Sequence, residues 1–483
     1  MISRNFLKSS FIYTIVGSLP YAAGFLLLPW LTLYLTPEQF GINALYISMM
    51  YLIQIIASFG LDVAVGTIYF DYKDNRDHMR QFLGTLFIGL VAIGAFTFLF
   101  FAFGGFRLFT WIFRSENVLQ LIPFGLITIV SAIFNSVFKT YSSLLIYQQR
   151  PERFFWINIS NFLITVGATL AILYLYPFTL YGPIVGRLIP AIVSASVAAI
   201  ALAAEFGLAW NTGYLRKILR VSYPLLVYAM LTWVVNYIDR FIIMGIMKEP
   251  TLVGIYDISV KMVLFIDLLM TGLINTVNPK VFAIWKAEGG RESTPEVNRY
   301  YSGLTAFFML LIPAFVFIAP ILIPFFISNK IYFSAFQYLA ILSAGYVTKV
   351  WFFMFMAPLL FYKRTSALPR VLLFSSVFEI GAGVLLIKLF GIQGMVWTFF
   401  LVKPVQAFIL WLESRKVFTY RVNRFKVYYL PILFMAVVIG SEWLAEAAGR
   451  LLIHGIQLLA SCILVWIAYR REISQLVLKR AGR

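Results

Sequence analysis

Of 483 residues, 61% are apolar, 18% are aromatic and only 12% are charged, where a soluble domain carries about 25% charged residues. Long uncharged runs recur from one end to the other, which excludes a globular protein with a single anchor and makes the chain a polytopic membrane protein. The formal charge of +19, from 39 Lys and Arg against 20 Asp and Glu, sits in alternate loops, so nucleic acid is not needed to explain it.

The first apolar run follows Arg4 and Lys8 and continues to about Leu35 without a small-residue cleavage site, so it reads as a retained first helix rather than a signal peptide. Spans are expected at 10–34, 42–66, 82–104, 119–145, 154–175, 183–205, 221–246, 252–274, 301–323, 334–361, 371–390, 394–412, 430–447 and 451–469. That is about fourteen, each near the roughly 20 residues that cross about 30 Å of hydrocarbon. One set of loops is basic, including "DYKDNRDHMRQ", "YQQRPERF", "YLRKILR", "YKRTSALPR" and the tail "YRREISQLVLKRAGR". The other set, including "YLTPEQFG", "YPFTLYGP" and "LFGIQG", carries little charge. The positive-inside rule puts the basic set and both termini in the cytoplasm, where it also attracts anionic lipid. Cys462 is the lone cysteine, and His78 and His454 lie far apart. No metal-ligand spacing, phosphate-binding glycine loop or nucleophile elbow occurs, so no metal site and no organic cofactor is expected. The longest inner segment, "NPKVFAIWKAEGGRESTPEVNRYY", is too short for a nucleotide-sugar domain, which places the work of the protein in its helices.

The chain repeats itself. "EQFGINALYIS" has its echo in "TLVGIYDISVK", with Gly41 and Gly254 as counterparts. "YQQRPERF" corresponds to "FYKRTSALPR", and "TLYGPIVG" to "LFGIQGMV", all at offsets near 210. The expected fold is therefore all-α: two parallel six-helix lobes, 1–207 and 208–413, followed by two further helices and a basic tail, 414–483. The first helix of each lobe is the most interrupted. Gly17, Pro20, Gly24 and Pro224 are the candidate hinges, although proline is also simply commoner in membrane helices.

"KSSFIYTIVGSLPYAAGFLLLPWLTLYLTPEQFGINALYIS", "LRVSYPLLVYAMLTWVVNYIDRFIIMGIMKEPTLVGIYDISVKM" and "IKLFGIQGMVWTFFLVK" resemble segments of the oligosaccharide flippases, the Wzx-type branch of the MOP superfamily. The resemblance covers about residues 5 to 412. It implies two lobes around a chamber that opens to each face in turn, carrying lipid-linked oligosaccharide across a bacterial inner membrane for surface polysaccharide such as O-antigen, capsule or exopolysaccharide. The implied partners are that lipid-linked sugar, the bilayer, and a polysaccharide polymerase and glycosyltransferases.

Among the cations inside spans, five are the candidates: Lys139, Arg240, Lys261, Lys349 (in "AGYVTKVWFFMF") and Lys403. Intramembrane cations face a bundle interior or a watery cavity by default, and lysines gathered there would suit a pyrophosphate head group. Each has a plainer alternative. Lys139 can snorkel, Lys261 can neutralise Asp257 one turn away, Arg240 can pair with Asp239, and Glu379 can pair with Lys349 or Lys403. Among the acids inside spans, Asp62, Asp257, Asp267 and Glu379 are candidates to take a coupling proton or Na+ and equally able to serve as counter-ions. Other functions stay open from sequence: a scaffold of a polysaccharide-synthesis complex, a lipid II flippase, or a multidrug exporter. The absence of Lys and Arg between Lys8 and Lys73 weighs against the second, and the mid-membrane lysines against the third.

Overall fold

A backbone amide in hydrocarbon finds no water, so each apolar run must close its hydrogen bonds within itself, and helices do this. The structure, a computed structural model, describes residues 12–13, 16–17, 19, 23–289, 291–327 and 329–481, with the side chains among them except at 446–448 and 471–481. In chain order the α-helices are α1 (Leu28–Tyr34), α2 (Pro37–Ser58), α3 (Leu61–Tyr72), α4 (Arg76–Phe100), α5 (Phe106–Ile112), α6 (Leu126–Tyr147), α7 (Pro151–Leu175), α8 (Tyr181–Phe206) and α9 (Thr212–Met247). They continue with α10 (Pro250–Glu288), α11 (Pro295–Phe326), α12 (Phe336–Ala344), α13 (Tyr346–Phe361), α14 (Ala367–Phe390), α15 (Ile392–Ser414), α16 (Leu430–Ala448) and α17 (Arg450–Ala481). Among the described residues the only β feature is an isolated bridge between Glu292 and Thr419.

Twelve helical stretches among the described residues are long and apolar enough to cross a membrane. Helix α10, 39 residues long, occupies the place of the expected eighth span. The expected first span, 10–34, is described only at 12–13, 16–17, 19 and 23–34, and Pro20 lies outside the described residues. The all-α, polytopic reading of about fourteen spans therefore holds. Of the other expected hinges, Gly17 is helical; among the described residues a Cβ there would meet Phe154 at ordinary contact distance, and one on Gly24 would meet nothing within 4 Å. Pro224 lies inside α9.

The chain forms two compact units, Met1–Gly254 and Ile255–Arg483. In the first unit α7 packs on α8, and α6 packs on both α8 and α2. Its core is built around Phe82, Leu86, Leu144, Leu145 and Ala198, all buried. Helix α9 belongs to this unit because it lies against α2, α3 and α4. The Trp233 indole N–H donates to the Ser48 carbonyl at 2.7 Å, and the Asn211 amide to the Thr85 hydroxyl at 2.9 Å. The boundary read from the repeat, 207/208, thus does not coincide with the boundary between compact units.

The sharpest break in the first unit falls in the expected second span. Phe59 and Gly60 adopt φ of 49° and 74°, ending α2 and restarting the chain as α3. Gly60 is required there twice over, since its backbone is left-handed and a Cβ would sit 2.8 Å from the Ser222 carbonyl oxygen. That contact falls on α9 beside Pro224, so the two interruptions pack on one another.

Gly41 and Gly254 meet directly. A Cβ on Gly41 would lie 1.8 Å from the carbonyl oxygen of Pro250, and one on Gly254 would lie 2.6 Å from that of Pro37. Each glycine therefore faces the proline that opens the other's helix, a reciprocal contact of the kind twofold symmetry produces. Gly41→Ala is expected to lower stability by about 1–3 kcal/mol through overpacking, measured as a drop in the thermal unfolding midpoint in detergent. An unchanged midpoint would show that the helix starts separate freely.

A second repeat survives down to individual hydrogen bonds. After α6 the amides of Gln148, Gln149 and Arg150 donate to the carbonyls of Leu144, Ile146 and Leu145. After α13 those of Tyr362, Lys363 and Arg364 donate to Pro358, Leu360 and Leu359. Gln149 and Lys363, the matching residues, share a φ of 56°.

In the second unit α11 packs along α17, α15 packs on α12, α13 and α14, and α16 packs on α17. The π-turn Phe425–Tyr429 before α16 lies between two aromatic donors. The Trp351 indole N–H bonds the Val427 carbonyl at 2.7 Å, and the Tyr469 hydroxyl bonds the Lys426 carbonyl at 2.6 Å.

Candidate functional site

The site is built around Tyr346, at the start of α13. Gly345 joins α12 to α13, and a side chain there would crowd the Lys403 stem, whose Cδ lies 3.0 Å from where the Cβ would be. The bare glycine thus lets Lys403 of α15 lie against the junction. Its ammonium sits 4.9 Å from the Tyr346 ring centroid and 3.0 Å from that of Phe399, and donates to the Phe399 carbonyl at 3.1 Å. Lys349 lies one turn beyond Tyr346 and so shares its face, with its ammonium 5.7 Å from the same ring. Two lysines therefore flank one buried tyrosine ring, each gaining cation–π attraction where water is scarce.

Lys349 is also ion-paired with Asp267 of α10. The two side chains keep 24% and 29% of their surface uncovered by protein, so the pair is neither sealed nor fully open. One turn and a half earlier on α10, Lys261 pairs with Asp257 at 2.6 Å. In the first unit Lys139 of α6 pairs with Asp62 of α3 at 2.9 Å, the lysine half-exposed and the carboxylate buried. Arg240 is locked inside α9. Its guanidinium bonds the Asp239 carboxylate at 2.7 Å and the Asn236 carbonyl at 2.6 Å, with the side chains only 5% and 2% exposed. Burial at that depth holds α9 together and leaves Arg240 little surface for a ligand.

Of the five cations expected to gather spare positive charge, at least four carry a carboxylate, and three of the four acids nominated for ion coupling, Asp62, Asp257 and Asp267, are the partners of the nominated lysines. The physical reason is the cost of a lone ion in a low dielectric, which a nearby counter-charge offsets. Glu379 is buried on α14, and the carboxylate that reaches Lys349 is that of Asp267. Several polar residues at depth bond across helices, as Asn158 does with Ser142 at 3.0 Å and Asn161 with Ser194 at 2.9 Å.

Sequence reading passed over one cluster. Glu442 of α16 lies 3.1 Å from Arg450 and 3.3 Å from His454 of α17, and His454 and Ser441 both meet Gln457. Glu442, His454, Gln457 and Ser441 are buried. A signal was present: Glu442 interrupts the apolar run "MAVVIGSEWL", and Arg450 and His454 are one turn apart on the next helix.

Residues 6–285, more than half of the chain, match the family described as polysaccharide biosynthesis protein. The chain belongs to that family. No curated protein matches it by sequence. Among solved structures this family member is similar to the lipid II flippase MurJ in an inward closed conformation, with a TM-score of 0.74 at 14% identity over 96% of this chain and 100% of that one. It is also similar to a multidrug resistance MATE transporter of the MOP superfamily. The inward-facing form gives a TM-score of 0.63 at 14% identity, over 86% of this chain and 98% of that one. The outward-facing form gives 0.58 at 14% identity, over 85% and 94%. At such identities the likeness is one of fold. The polysaccharide biosynthesis protein described here is a multi-pass membrane protein with the fold of MOP-superfamily transporters, as the resemblance in its first, seventh and eighth spans implied.

Proposed function

We propose that the protein is a flippase that carries undecaprenyl-pyrophosphate-linked oligosaccharide across a bacterial inner membrane for assembly of a surface polysaccharide. The observation that carries this reading is the Tyr346 site, where two lysines and one exchangeable carboxylate meet inside a polysaccharide biosynthesis protein built on a transporter fold. In the empty site Asp267 neutralises Lys349, which spares the membrane an isolated ion. An arriving pyrophosphate brings two or more negative charges and competes for Lys349, while Lys403 supplies a second mobile point charge. Asp267, released from its lysine, is then a negative charge that needs a new counter-ion, which a coupling cation supplies. Cargo and coupling ion would thereby exchange at one carboxylate, with no other cofactor.

The test is transport in reconstituted vesicles loaded with labelled lipid-linked oligosaccharide, lipid II or a cationic dye in parallel. The expected result is movement of the lipid-linked oligosaccharide above the level of protein-free vesicles. Movement of the dye alone, or of lipid II alone, would assign a different cargo. The ion pairs themselves favour a second reading, in which the protein is a scaffold of a polysaccharide-synthesis complex and its intramembrane charges are structural. A scaffold moves none of the three substrates.

A further inference from the structure

The turn that the two halves share keeps its backbone hydrogen bonds but carries different charges in each. In the first unit Arg150 lies 2.5 Å from Glu205, near the end of α8, and Arg153 joins the same carboxylate at 3.2 Å. Two cations close on one acid. In the second unit Glu413, near the end of α15, takes Lys416 at 3.0 Å and Arg370 at 3.5 Å. Lys363 and Arg364 of the turn, which correspond to Gln149 and Arg150, are exposed and have no carboxylate at ion-pair distance among the described residues. These four cations, Glu413 and Ser366 surround a cavity of about 390 Å³.

Four positive charges against one negative leave an excess of three around a half-open pocket whose volume is within the range of small-ligand sites. Ser366 directly precedes α14, so the positive end of that helix dipole adds to the field. The turn is held by the three backbone hydrogen bonds described above, which fixes the lip on which Lys363 and Arg364 stand. The positive-inside rule accounts for basic loops on this face but not for four cations converging on one cavity. Gln149 shows that the left-handed turn position does not require lysine.

We propose that the cavity ringed by Lys363, Arg364, Arg370 and Lys416 is a binding site for a phosphate or pyrophosphate group, borne by a lipid or free in solution. Arginine and lysine divide the work: Arg364 and Arg370 present planar forks to phosphate oxygens, and the lysines adjust as mobile charges. The site is separate from the Tyr346 site and does not depend on the transport reading.

Full-length protein in phosphatidylcholine nanodiscs would be titrated with farnesyl pyrophosphate, inorganic pyrophosphate and farnesol, with binding read by calorimetry. The Lys363→Gln/Arg364→Gln variant is expected to weaken pyrophosphate binding about thirty-fold, the loss of two cations' attraction to a phosphate-bearing group. A Lys73→Gln/Arg76→Gln variant, which removes the same charge from an exposed loop of the first unit, is expected to bind as the wild type does. Tighter binding of farnesyl pyrophosphate than of inorganic pyrophosphate identifies a lipid-borne ligand, and equal binding a free anion; either supports the site. Equal losses in the two variants would reduce the effect to the general field of the surface, and wild-type binding by Lys363→Gln/Arg364→Gln, or binding of farnesol as tight as that of its pyrophosphate, would overturn the proposal outright. The assay reads binding alone, so its failure leaves the flippase reading standing.

Discussion

Lys349→Ala should reduce transport of lipid-linked oligosaccharide to the level of protein-free vesicles, and it should also cost stability. The substitution strands Asp267 inside the membrane, and breaking a fully buried pair from one side costs about 3–5 kcal/mol. The partial exposure of this pair reduces that figure, since water or a lipid head group can reach the orphaned carboxylate. A second variant separates the two effects. Lys349→Ala/Asp267→Asn removes the stranded charge as well, so its thermal midpoint in detergent should return toward that of the wild type while transport stays lost. If the double variant transports normally, Lys349 serves only to neutralise Asp267, and the pyrophosphate must be held elsewhere.

Asp239→Ala should be the more damaging change to folding. It leaves the Arg240 guanidinium buried in α9 without the carboxylate that meets it at 2.7 Å, and the expected loss is about 3–5 kcal/mol. Against a total stability of about 5–15 kcal/mol for an ordinary domain, that is enough to lower the amount of folded protein recovered from membranes. Replacing both residues with apolar side chains of similar volume, Asp239→Leu/Arg240→Met, should recover most of the loss, because an apolar pair has no desolvation cost. The midpoints of thermal unfolding measure both. A wild-type midpoint for Asp239→Ala would mean that Arg240 takes its charge partner from another residue.

The fold was legible because the membrane makes its demands in sequence terms. Twenty-residue apolar runs, basic loops at every second turn and three echoes at a constant offset needed no coordinates. Two of those echoes return as geometry, Gly41 against Gly254 and the matched turns at Gln149 and Lys363. The break at Phe59–Gly60 was harder to see, because a glycine in an apolar run reads the same whether it is helical or left-handed. Only its approach to Ser222 distinguishes the two.

The site was legible in its members and not in its pairings. Lys349 and Lys403 stood out as cations at mid-span, yet sequence distance gave no means of knowing that both would flank Tyr346. Asp267 and Lys349 are 82 residues apart, and such a partnership is decided by the packing of α10 on its neighbours. The i,i+4 pair Lys261–Asp257 was foreseeable from helix geometry, and Asp239–Arg240 from adjacency in sequence, although neighbouring side chains on a helix point about 100° apart. The difference between Lys363 and Gln149 was visible in the aligned repeats, but it acquired meaning only with the cavity beside it.

The widened turn at 425–429 bears on how the protein is made. Its carbonyls at Lys426 and Val427 are met by donors from opposite directions along the chain, Trp351 having left the ribosome long before the turn and Tyr469 emerging 43 residues after Lys426. An insertion machine releasing this helix into lipid early would leave the Lys426 oxygen without its donor, a state hydrocarbon penalises. The nascent chain therefore has reason to be retained beside the translocon until α17 arrives, making the docking of that helix the step that sets the second unit.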